Sequence, residues 1–177
     1  MKDVFKCVGL LMVGLFVAVI VYPFLHEVGH SVVAILVGGK VIDFNILPLP
    51  YVVCDLSRTE KAATVFIGLA GIFFPAILSK IINPKSFWLW YGNIVMRGIC
   101  LLSFIISFVA IIFNSFNIKV ENEDIVQVIN VWKGGTFILA ILMLFAIIII
   151  IHSIIKQKPI DKILIYFKID TKKASAA

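Results

Sequence analysis

Residues 7–39, CVGLLMVGLFVAVIVYPFLHEVGHSVVAILVGG, carry one formally charged side chain, Glu27. An apolar run of this length has few homes other than a lipid bilayer, because roughly 18 or more consecutive apolar residues read as a membrane-spanning helix. As one continuous helix it would be about 50 Å long at 1.5 Å per residue. The hydrocarbon core is about 30 Å thick, so the helix must tilt, protrude or break. Pro23 is the predicted kink, since it cannot donate to the carbonyl of Val19 and its ring crowds that turn. Gly38-Gly39 is the predicted end.

The remainder of the chain repeats the pattern. Of its 177 residues 62% are hydrophobic and 15% charged, against about 45–50% apolar in soluble domains. At about 20 residues per span, this length fits one domain with no separate soluble one. Spans are predicted at 62–82, 88–113 and 136–154. Gly68, Ala70 and Gly71 in the second let a neighbouring helix approach closely, and Pro75 adds a kink. Trp88, Trp90 and Tyr91 open the third as an interfacial belt. Between the first and second spans, KVIDFNILPLPYVVC reads as a short hairpin or irregular loop around Pro48 and Pro50. Before the last span, NSFNIKVENED leads into an amphipathic turn, IVQVINVWKGG. The predicted fold class is therefore an all-α integral membrane protein of about four transmembrane helices, with a strand-like loop or hairpin after the first. The membrane domain covers 1–155 and a basic tail 156–177.

The net charge of +6 is concentrated in that tail. Lys156, Lys158, Lys162, Lys168, Lys172 and Lys173 face only Asp161 and Asp170. Beside a membrane span this reports cytoplasmic orientation and attraction to anionic lipid, not nucleic acid. Lys2, Lys6, Lys80 and Lys85 put both termini on that side, against Lys40, Arg58 and Lys61 on the other. A multi-pass protein of the cell membrane with a cytoplasmic C-terminus is expected. The N-terminal MKDVFK lacks an A-x-A-like cleavage site after its apolar run, so the run is expected to stay as an anchor. Cys7, Cys54 and Cys100 form no metal or disulfide pattern and read as small apolar fillers.

Within the first run stand His26, Glu27 and His30. An ionisable group in hydrocarbon costs roughly 2.5–3.5 kcal/mol on insertion scales, so such residues are usually paired, metal-bound or functional. Positions four apart share a helix face, so both imidazoles can reach one metal ion. This is the H-E-x-x-H arrangement, suited to a catalytic zinc with Glu27 as general base. Three polar residues merely packed in a bundle would instead leave a carboxylate and two imidazoles without an identified partner.

Residues 25–47, LHEVGHSVVAILVGGKVIDFNIL, resemble the opening of the site-two protease family of intramembrane zinc metalloproteases, in a compact form without a PDZ domain. The resemblance covers about the first third of the chain well and the rest in outline. It implies one zinc, a transmembrane protein as substrate, and a third ligand, an aspartate from a later membrane helix. In relatives that aspartate commonly ends an N-x-x-P…L-D-G element, which is absent here. Its nearest counterpart is NSFNIKVENEDI, residues 114–125, with Asn114 after an apolar helix and Asp124 ten residues on.

Asp124 is the expected third ligand, since Asp-Ile opens a new apolar-periodic stretch that could fold the carboxylate back to the site. Glu123 and Glu121 stand behind it, then Asp43 and Asp55, and an ordinary acid in a helix first turn is the other reading of Asp124. Asn93, Arg97 and Asn114 are candidate substrate or oxyanion contacts, although an interhelical hydrogen bond and a snorkelling cation explain Asn93 and Arg97 at least as well. His152 suits interfacial solvation. The segment 41–47 could hold an unwound substrate by strand pairing. The competing classes are a pseudoprotease or metal-binding scaffold of the same fold, and a small metal transporter, which would need a polar pathway.

Overall fold

The computed structural model describes residues 2–46, 50–82, 84–118 and 123–167. Its first helical rod comprises α1 (Lys2–Phe16), a π-helical turn (Val17–Val21) and α2 (Tyr22–Leu36). The break falls just before Pro23 instead of at it. Proline removes the amide that Val19 would bond, and the turn ahead widens so that the Tyr22 amide reaches back to the Val17 carbonyl. The rod ends at Leu36, where Gly38 takes φ +89° and the Gly39 amide bonds the Ala34 carbonyl at 2.9 Å. A left-handed residue at this position is the usual glycine stop.

The loop expected around the prolines is a two-stranded antiparallel hairpin, β1 (Lys40–Asn45) and β2 (Tyr51–Asp55), with a bulge between Val41 and Asp43. Its turn, 47–49, lies outside the described residues. Phe44 anchors the hairpin edge-on to Phe24 of α2 with ring centroids 6.1 Å apart. The long helices that follow are α3 (Lys61–Ile81), α4 (Phe87–Ser115) and α6 (Thr136–Lys156). Among the described residues four helical stretches are long and apolar enough to cross a membrane. Their outward faces are bare hydrocarbon: Phe5 is 74% exposed and Phe137 76%.

Two elements are less apparent in the sequence. The amphipathic turn is a nine-residue helix, α5 (Glu123–Val131), and Ile125, Val128 and Ile129 on one of its faces are buried. That i, i+3, i+4 spacing is the stripe by which a helix docks, and α5 lies against α3 and α4 in the core formed with Phe104, Ile111, Leu139 and Met143. The start of the basic tail is a helix, α7 (Pro159–Tyr166). Tyr166 stacks on Phe87 at 3.9 Å, and the Lys6 ammonium donates to the Tyr166 carbonyl at 3.2 Å. The starts of α1 and α4 therefore share one end of the bundle with α7, and the hairpin caps the other.

Contact between α2 and α3 depends on missing side chains. A Cβ on Gly29 would stand 2.5 Å from the Ala70 carbonyl oxygen, and one on Gly71 would stand 2.4 Å from His30 Nε2. The small residues of α3 thus allow close approach, as expected, and the space they leave is filled by imidazole.

Candidate metal centre

His26 and His30 project from one face of α2 toward α3 and α5. The ring of His30, 7% exposed, donates from Nδ1 to the Ile67 carbonyl at 2.7 Å. That bond commits its proton, so in the neutral ring Nε2 presents a lone pair. His26 Nε2 lies 3.1 Å from His30 Nε2 and 2.9 Å from Asp124 Oδ2, and His30 Nε2 lies 3.4 Å from the same oxygen. His26 Nδ1 is buried and has no hydrogen-bond partner among the described residues, so the polar contacts of this ring are made through Nε2.

Asp124 comes 98 positions after His26. It stands in the first turn of α5, and its backbone rests on Gly68, where a Cβ would meet the Asp124 carbonyl oxygen at 3.2 Å and a Val128 methyl at 2.6 Å. Burial by itself would raise the carboxyl pKa. With the imidazoles protonated, their hydrogen bonds and charge outweigh it and hold the group well below the usual carboxylate range. One donor atom from each of His26, His30 and Asp124 falls within 4.8 Å of the others. Donors about 2.0–2.1 Å from a tetrahedral ion stand about 3.3 Å apart, so separations of 2.9–3.4 Å fit such an ion.

Glu27 points with this cluster into a cavity of about 400 Å³, walled also by Tyr51, Val52 and Cys54 of β2, Thr64 of α3 and Gln127 of α5. The Val52 amide donates to the Glu27 carboxylate. Cys54, read from the sequence as an apolar filler, is half-buried in this wall, and burial and the Glu27 charge push its thiol pKa up. One turn before His26 on α2, the Tyr22 hydroxyl bonds Ser103 of α4, and its ring centroid lies 6.0 Å from that of His26.

The other candidates lie elsewhere. Asp43 accepts from the Tyr51 hydroxyl at 2.9 Å and the Phe44 amide at 2.8 Å, and Asp55 accepts from the Ser57 amide at 2.9 Å. Glu121 and the side chain of Glu123 lie outside the described residues. Asn114 is in the last turn of α4 and does not line the cavity. Asn93 is in the second turn of α4, at the opposite end, where it reaches the Ile82 carbonyl at 3.5 Å. Arg97 bonds Ser79 and Ser153 inside the bundle, the interhelical use of a polar group and not a lining of the cavity. His152 is exposed. Among the described residues the strand that walls the cavity is β2; the segment 41–47, expected to pair with an unwound substrate, falls mainly in β1, and residue 47 lies outside the described residues. Only a tertiary contact identifies Val52, Thr64 and Gln127, while Tyr22 had a signal, since it sits one turn before His26.

Gly71 offers a sharp test of this packing. Gly71→Ala is expected to weaken binding of a divalent metal by at least about tenfold, read by competition with a chelator, because both imidazoles must move. Gly98→Ala is the control: a Cβ there meets nothing within 4 Å, so unchanged metal affinity and a gain of up to about 1 kcal/mol are expected. Comparison with protein-family models, curated proteins and solved structures finds no match.

Proposed function

We propose that the chain is a polytopic zinc endopeptidase that hydrolyses a peptide bond in or near a transmembrane segment of another membrane protein, after the manner of the site-two proteases its residues 25–47 resemble. The four apolar helices cross the bilayer and the C-terminus is cytoplasmic. The observation that supports this most is the meeting of His26, His30 and Asp124 beside Glu27 in one polar cavity. His26 Nε2, His30 Nε2 and an Asp124 oxygen would hold one zinc, which when bound supplies a Lewis acid and lowers the pKa of its water to about 7.

The residues of the chain supply the rest. Glu27 accepts a proton from the attacking water at its carboxylate and returns it to the leaving amide nitrogen, so that water is added across the C–N bond. The Val52 amide orients that carboxylate. His30 is kept in one tautomer by Ile67, and Asp124 adds negative charge to offset that of a dication. His30 and His26 lie six and ten residues before the end of α2 at Leu36, roughly 9 and 15 Å along the axis. Cleavage therefore occurs beneath the face bearing the hairpin, within reach of water.

The test is reconstitution in liposomes with a candidate single-span protein. Mass spectrometry is expected to find a cut in or beside the span, lost with a zinc chelator and restored by zinc. Cleavage that survives complete metal removal would sink the reading.

A further inference from the structure

The end of the bundle where α7 meets the starts of α1 and α4 holds a second polar feature unrelated to the metal cluster. Arg97 of α4 is 5% exposed. Its Nε and Nη2 donate to the Ser79 carbonyl at 3.3 and 2.7 Å, and its Nη1 donates to Ser153 Oγ at 2.8 Å and the Ser153 carbonyl at 3.3 Å. A guanidinium has five N–H donors, so among the described residues one on Nη2 is left without a partner. All of these acceptors are neutral, and no carboxylate pairs with Arg97 among the described residues. Sequestering a cation without a counter-anion is costly.

Arg97 opens into a cavity of about 490 Å³ between α3, α4 and α6, lined also by Lys80, His152, Lys156 and Gln157 and, among the described residues, by no acid. Lys80 and Ile149 line a second hollow as well, about 290 Å³, between Phe73, Phe104, Phe145 and Ala146. A cationic chamber thus runs into an apolar groove along the outside of the bundle. Basic pockets between spanning helices on the cytoplasmic side suit the headgroups of anionic lipids.

We propose that this face binds an anionic phospholipid, its phosphate held by Arg97, Lys80 and Lys156 and one acyl chain laid in the groove past Ile149. The charge of the chamber calls for an anion, and the apolar continuation favours a lipid over a free phosphate. The proposal rests on the helices crossing a bilayer and not on the metal centre.

The full chain, purified in mild detergent, is titrated with phosphatidylglycerol and with phosphatidylcholine of the same acyl chains, and bound lipid is read by native mass spectrometry. Phosphatidylglycerol is expected to be retained at least about tenfold more strongly. Lys80→Gln and Lys156→Gln are each expected to lower its retention about fivefold. Both lysines are exposed, so these variants keep the fold, which Arg97→Gln need not. Zinc content should not change, and extraction of the membranes with alkaline carbonate reads insertion separately. Equal retention of the two lipids, or indifference to both lysine changes, overturns the proposal. Displacement of the lipid by glycerol phosphate or inorganic phosphate at matched concentration overturns it too, assigning the chamber to a soluble anion.

Discussion

Glu27→Gln is expected to slow peptide cleavage by about 10²–10⁴-fold, the usual worth of a positioned general base, while about one zinc stays bound per chain. The substitution is nearly isosteric. The amide oxygen can still accept from the Val52 amide, so the hairpin keeps its hold on α2, and the three donor atoms of the cluster are untouched. The missing property is a proton acceptor beside the attacking water. Rates in liposomes are compared with zinc measured on the same preparation, which separates a lost base from a lost metal. A variant that cuts as fast as wild type removes Glu27 from this role. A wild type that binds one zinc and cuts no substrate is the metal-binding scaffold.

Asp124→Asn is expected to have the opposite profile: activity and zinc are lost together. Removing an outer partner of a metal ligand costs roughly 10–100-fold in affinity, and loss of a directly bound, negatively charged oxygen should cost more. The change also leaves two imidazoles 3.1 Å apart without the anion between them. Ile125, Val128 and Ile129 still dock α5, so helicity should be retained. Zinc is measured after dialysis against a competing chelator. Full zinc in this variant would move the third ligand to another acid, with Glu123 and Glu121 the nearest in sequence.

The sequence made legible what depends on neighbours a few residues apart. The helical spans follow from unbroken apolar runs, the end of α2 from Gly38, and the shared face of His26 and His30 from their spacing. Asp124 was legible less directly, through the start of an apolar period and a resemblance, because no local rule brings together two residues 98 positions apart. The π-helical turn escaped notice since Pro23 signals a disturbance without saying how the backbone absorbs it. Glycine at 68 and 71 announced close packing, but not that an imidazole and the backbone of α5 would be the visitors. The hairpin was expected, its service as a wall of the cavity was not, and α7 was hidden among lysines that read as a tail.

α5 is too short to be a span. Nine residues reach about 14 Å, half of a hydrocarbon core, so α5 has no means of threading through the bilayer as a span in its own right. It is held instead by its docking onto α3 and α4 through Ile125, Val128 and Ile129. Asp124 reaches His26 and His30 only through that docking, so the three donor atoms share one place because α5 is packed there and not because of any span of its own.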